Sequence, residues 1–192
     1  MDKTHGKIQL PEWSIEFDRG FRSKVKERRS GGWDLTLTPG KVLSLIFREE
    51  YGRLYDRIPA NGQMRLRMRV AQSPDVVWDS DPNRVALEPS PPKISLVVAT
   101  SMRGVAKRFY SSASAAIDVD GIVTVNAPID PDHWIHVLGK PASYKRHLKD
   151  GWREVMTSPY ARVGIACGGF FKSKGFGVTA GSAKLSLVSL KL

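Results

Sequence analysis

Three arginines alternate with apolar residues in Gln63-Met64-Arg65-Leu66-Arg67-Met68-Arg69-Val70. Along a β-strand, successive side chains point to opposite faces. Arg65, Arg67 and Arg69 then share one face, and Met64, Leu66, Met68 and Val70 share the other. The chemistry on offer is anion binding, because a guanidinium is planar, permanently charged and able to bond two phosphate oxygens at once. No acidic residue within the stretch neutralises the row. The same row also reads as a solvated outer face, or as an edge strand kept charged against aggregation.

Other segments offer related chemistry. Arg19, Arg22, Lys24, Lys26, Arg28 and Arg29 are offset only by Glu27. They form a basic stretch that could follow RNA or sit on acidic lipid, or simply solubilise the chain. Tyr144-Lys145-Arg146-His147-Leu148-Lys149, close to Trp152, sets Lys145, Arg146 and Lys149 beside aromatic residues, a combination that can stack bases or meet lipid headgroups. Asp130, Asp132, His133 and His136 are metal-ligand types, with the two histidines spaced to share one helix face. No cysteine or glutamate stands near them, and Asp130 is better used as a helix cap, so no metal site is assigned. Cys167 lies in an apolar stretch, Gly164-Ile165-Ala166-Cys167-Gly168-Gly169-Phe170, and reads as a buried structural thiol. The glycines from Gly164 to Gly177 lack the lysine and hydroxyl spacing of a phosphate-binding loop. With no G-x-S-x-G, H-E-x-x-H or paired C-x-x-C, neither catalysis nor a cofactor is expected.

These residues must be held by a chain of 192 residues, enough for one domain or one domain with an arm. Its hydrophobic fraction of 41% supports a core. Thirty basic against nineteen acidic residues give a net charge of +11, which favours nucleic acid, anionic lipid or an acidic protein as partner. One cysteine permits no internal disulfide. No signal peptide, lipidation signal or apolar run of the roughly 20 residues that span a bilayer is read, so membrane contact is expected to be peripheral.

The spacing predicts a basic, partly flexible N-terminal arm over residues 1–30, extended around Ile8 to Phe17, and one domain over 31–192. Trp33, Leu35 and Leu37 alternate as a strand. Thr38-Pro39-Gly40 then resembles a helix start, and Leu43, Ile46, Phe47, Tyr51, Leu54 and Ile58 recur at helical spacing, which predicts a helix over 39–57. The arginine strand follows. Residues 73–92 form a long Pro-rich acidic loop, in which Trp78, Asp79, Asp81 and Pro82 are candidates for self-association. Strands are expected near 76–78, 93–100, 105–110, 122–125, 162–171 and 184–190. A short helix should begin at Asp130-Pro131 and end by Gly139, and a second should cover 143–156. The predicted class is α+β: a mainly antiparallel β-sheet packed against a long amphipathic helix and shorter helices, with a basic N-terminal arm.

Three stretches carry a resemblance: Gly31-Gly32-Trp33 to Ile58 leading into the basic strand, Ile122 to Glu154 with Pro131-Asp132-His133-Trp134, and Val163 to Leu190 with its lysine turn. In this order the chain resembles the rhabdovirus matrix proteins, and a plant-infecting or otherwise divergent member fits better than an animal one. The resemblance implies a non-enzymatic structural protein that bridges the viral ribonucleoprotein and an acidic membrane surface. It would lie beneath the virion envelope as a peripheral protein, made in host cytoplasm or nucleus. Homo-oligomers and the viral glycoprotein are among the partners it implies. The chain departs from animal members in having no P-P-x-Y motif; Pro91-Pro92-Lys93-Ile94 lacks the tyrosine.

Two rivals keep the same charge logic. A basic arm followed by many strands also describes a small jelly-roll capsid subunit, against which the 39–57 helix speaks. An RNA-binding movement or silencing-suppressor protein would need no virion at all.

Overall fold

A computed structural model describes residues 6–19, 25–28, 32–48, 52–59, 61–80, 91–100, 107–137, 139–168 and 175–192. In chain order its elements are β1 (Gly6–Gln9), β2 (Trp13–Arg19), β3 (Val25–Glu27), β4 (Trp33–Leu37), β5 (Val42–Arg48), β6 (Gln63–Gln72) and β7 (Val77–Asp79). There follow β8 (Lys93–Thr100), β9 (Lys107–Ala116), β10 (Gly121–Pro128), β11 (Trp134–His136), α1 (Arg146–Thr157), β12 (Ala161–Cys167), β13 (Phe176–Ala180) and β14 (Ala183–Lys191). Single 3-10 turns lie at Leu54–Asp56 and Pro131–His133.

The strands form two antiparallel sheets. One runs β1-β2-β5-β12-β8-β9-β11, with β13 paired to β5 and β7. The other runs β10-β6-β14-β4-β3. They face each other across one core. Trp13, Ile15, Phe17, Val98, Phe109, Val163 and Ile165 come from the first sheet; Trp33, Leu35, Leu37, Met64, Leu66, Met68 and Leu185 come from the second. Trp13 meets Trp33 edge-on across the gap, with ring centroids 6.1 Å apart. Such a pair contributes about 1 kcal/mol beyond the area it buries. The class is therefore a β-sandwich, and α1 packs on β8, β9 and β12 through Leu148, Trp152, Val155 and Met156.

This corrects the α+β expectation, and residues 39–57 account for it. Among the described residues of that range no long helix forms. Pro39-Gly40 is a tight turn in which Gly40 has φ 84°, a conformation that glycine alone adopts without strain. The turn carries the chain from β4 in one sheet to β5 in the other. β5 is buried on both faces: Leu43 and Ile46 enter the shared core, whereas Leu45 and Phe47 enter a second cluster with Val97, Ala99, Tyr110 and Ala166. A short apolar run buried on both sides shows no period of two, and its spacing then imitates a helix. Leu54 and Ile58 are buried, but from a 3-10 turn and the segment after it. Tyr51 lies outside the described residues.

The arm is also redrawn where it is described. β2 pairs with β5, and Trp13, Ile15 and Phe17 are buried in the core, so residues 6–19 belong to the sandwich. β3 edges the five-stranded sheet through its pairing with β4. β8 spans residues 93–100, as expected. The short helix expected from Asp130-Pro131 to Gly139 is reduced to a 3-10 turn over Pro131–His133, capped by Asp130 accepting the Asp132 N–H at 2.9 Å, and the chain then enters β11.

Candidate anion-binding face

In β6 the alternation holds: Met64, Leu66, Met68 and Val70 are buried, Arg65 and Arg69 are exposed, and Arg67 is half-buried. One sheet face lies on the core and the other on solvent, the arrangement that makes a strand readable. β6 sits between β10 and β14, and cross-strand partners share a face. Arg65 stands beside Asn126 and Lys191, Arg67 beside Thr124 and Ser189, and Arg69 beside Ile122 and Ser186. Along β14 the face continues through Lys184, then crosses to Asp34 and Thr36 on β4 and Lys26 on β3. Successive arginines stand about 6.8 Å apart along the strand.

Charge on this face is lopsided. Asp34 is its carboxylate among these residues, paired to Lys184 at 3.3 Å and to Arg28 at 3.4 Å. Burial acts to raise the Asp34 carboxyl, but hydrogen bonds from Ser186 and Lys184 and the charges of Arg28 and Lys184 outweigh it and hold it below its usual range. Asp34 thus contributes stability that is present at neutral pH and lost as pH falls through its lowered folded value. Asp34→Asn will lack this component, so urea unfolding of the two proteins across acid pH will show the wild type losing its advantage on acidification. A gap that does not change with pH would contradict this.

At the β6 end, no carboxylate lies within ion-pair distance of Arg65, Arg67 or Arg69 among the described residues. Asp120, near the end of the row, accepts the Gln72 backbone N–H at 2.8 Å. Hydroxyls and an amide flank the guanidiniums. None of the outward residues named on β3, β4, β6, β10 and β14 is aromatic. The surface can hold phosphates one by one and form hydrogen bonds beside them, without stacking bases.

Other candidates from the sequence fall elsewhere. Lys26 is exposed on β3, and Arg28 turns to Asp34 and to the Leu187 carbonyl. Arg19 closes β2, while Arg22, Lys24 and Arg29 lie outside the described residues. Lys145, Arg146 and Lys149 are exposed at and just before α1, with Arg146 3.9 Å from Asp150. Because α1 packs on the nine-stranded sheet, these cations and the arginine row are carried by different layers. Trp78 is half-buried; its indole donates to Gln72 at 2.9 Å and its ring packs edge-on to Phe176 at 5.7 Å. Asp79 pairs with Gly177 in the sheet, and Asp81 and Pro82 lie outside the described residues.

His133 is in the 3-10 turn and His136 is in β11, so the shared helix face does not form. His136 packs against Phe109 at 5.2 Å, and burial, then the nearby His147, lower its pKa. Among the described residues, no group of three potential ligands could hold a metal ion. Cys167 is fully buried, and burial pushes its thiol far above the usual range.

Sequence reasoning found the arginines and missed Thr124, Asn126, Ser186, Ser189, Lys184 and Lys191 beside them. The strands at 122–125 and 184–190 were readable; the register that sets them against β6 was not.

No family model matches this chain, and no curated protein does. Among solved structures, it is similar to a protein described as a "putative glycoside hydrolase" from Bacteroides thetaiotaomicron, with 10% identity over 97% of this chain and 68% of that one, at a TM-score of 0.41. A protein from Bacteroides vulgatus with the same description matches at 5% identity over 99% and 95% of the two chains, at a TM-score of 0.40. At these scores the likenesses carry no argument about this chain. Among the described residues no helix is long and apolar enough to cross a membrane.

Proposed function

We propose that this protein is a non-enzymatic RNA-binding β-sandwich whose outer five-stranded face holds single-stranded RNA by its phosphates. The observation that carries the reading is the Arg65-Arg67-Arg69 row, without a carboxylate partner among the described residues and flanked by Thr124, Asn126, Ser186 and Ser189. Planar forks at strand spacing suit a chain of diesters. A bilayer surface gains from inserted apolar side chains, and this side of the sheet exposes only scattered ones, such as Ile122 and, on the β14 bulge, Val188. The matrix-type reading drew on a long helix at 39–57, and the described residues of that segment form a turn, β5 and a 3-10 turn. The same helix was the argument against a sandwich-type capsid subunit, and with β5 in its place an RNA-binding sandwich fits better.

Mixed-sequence single-stranded RNA will bind, and the affinity will fall with salt. Four phosphate contacts, from the three arginines and Lys191, give a log–log slope of about −3, or roughly fiftyfold between about 50 and 200 mM salt. Fluorescence anisotropy measures this, and flotation with phosphatidylserine vesicles is the companion assay. Flotation without RNA binding would return the protein to the matrix class. Binding to neither would reject both readings.

A further inference from the structure

A cationic cleft lies at the seam between the sheets. β14 pairs with β6 as far as Lys191, but with β4 only as far as Ser186. Past that point β4 has ended and a cleft of about 460 Å³ opens against the free side of β14. The Arg28 guanidinium occupies the first position of the missing strand and donates to the Leu187 carbonyl. Gly32 leaves it room, since a Cβ there would come within 2.9 Å of Arg28 Nη2. Arg48, from the end of β5, also lines the cleft and holds Glu12 at 3.2 Å. Lys191 completes the lining and is also the cross-strand neighbour of Arg65, so the cleft and the arginine row meet at this residue. Trp13, 1% exposed, is among the lining residues.

We propose that this cleft holds the terminal phosphate of an RNA strand lying on the arginine row. The inference rests on the RNA-binding reading and adds an end-specific site to it. A backbone diester carries one negative charge, which suits cations spaced singly along a strand. A terminal monoester carries about −1.5 to −2 at neutral pH and three acceptor oxygens, which suits a cluster. Arg28, Arg48 and Lys191 line the cleft together with Glu12 among the described residues, and Asp34 pairs with Arg28 outside it. The volume lies within the range of about 300–1,000 Å³ typical of small-molecule sites, enough for one terminal nucleotide.

The test compares one RNA sequence with a 5′-phosphate, with a 3′-phosphate and with neither, in direct binding to the whole protein. One phosphorylated form will bind about fivefold tighter than the hydroxyl form, the effect of one added charge-assisted hydrogen bond. Arg48→Gln will remove that preference and leave binding of unphosphorylated RNA unchanged. Glu12→Gln will enlarge the preference, a readout that stands even if the Arg48 variant folds poorly. The preference will also shrink below about pH 6, where the monoester loses its second charge; among the described residues no histidine lines the cleft to produce that change. Equal binding of all three RNAs overturns the terminal-phosphate site and leaves the RNA-binding face intact. Failure of all three to bind overturns both.

Discussion

Replacing Arg65, Arg67 and Arg69 together by glutamine will weaken single-stranded RNA binding about a hundredfold at low salt, at about 1 kcal/mol for each charge-assisted hydrogen bond removed. It will also cut the salt slope by about 2, since each neutralised phosphate adds about 0.7 for a single strand. The slope is the sharper readout, because it counts displaced counterions and is insensitive to small changes in active fraction. The fold will survive: Arg65 and Arg69 are exposed, Arg67 is half-buried, and glutamine keeps much of each aliphatic stem. Such surface changes usually cost within about 0.5 kcal/mol each. An unchanged slope would show that the row is solvated decoration. A cooperative loss of fold would show that the guanidiniums act within the sheet.

Gly164→Ala will destabilise the protein by about 3 kcal/mol, the upper range for overpacking, and lower Tm by about 6–12 °C. Gly164 lies in β12 opposite Phe47 on one side and Val97 on the other. A Cβ there would overlap the Ile46 carbonyl oxygen and come within 2.8 Å of Phe47 Cδ1. Neither neighbour can yield: the carbonyl belongs to the β5 backbone, and the Phe47 ring is fully buried with the Arg162 guanidinium 4.6 Å from its centroid. Gly151 supplies the contrast. A Cβ at that position in α1 meets Phe109 and Lys107 at ordinary distances of 3.7 and 3.8 Å. Gly151→Ala will stabilise the protein by about 0.5–1 kcal/mol through helix propensity and a stiffer unfolded chain. Thermal unfolding of both variants checks the pair; similar effects of the same sign would contradict the packing argument.

What could be read in advance followed from one-sided burial. β6 separates its residues cleanly between core and solvent, so the arginine row and its strand were visible in the sequence. β5 is buried on both faces, and the missing alternation hid it. That one error spread. Trp13, Ile15 and Phe17 alternate, and extended structure was expected there, but with its partner β5 read as a helix the segment had no sheet to join and was assigned to an arm. The polar neighbours of the arginines come from register, and the cleft arises because β14 outruns β4. Both are relations between distant segments, which no local pattern encodes.

The strand order has a consequence for biosynthesis. β12 is wedged between β5 and β8, and β14 between β6 and β4, so each sheet receives one of its central strands from the last sixth of the chain. A ribosome delivers the chain amino end first, and the earlier strands must wait with open hydrogen-bonding edges until residues 161–191 emerge. Closure is then a late event dominated by distant pairings, a topology that folds slowly. A chain stopped before β12 would keep β5, β8, β6 and β4 as unprotected edges, each a template for joining another copy. β12 and β14 thus act as the latch that turns an aggregation-prone nascent chain into a closed sandwich.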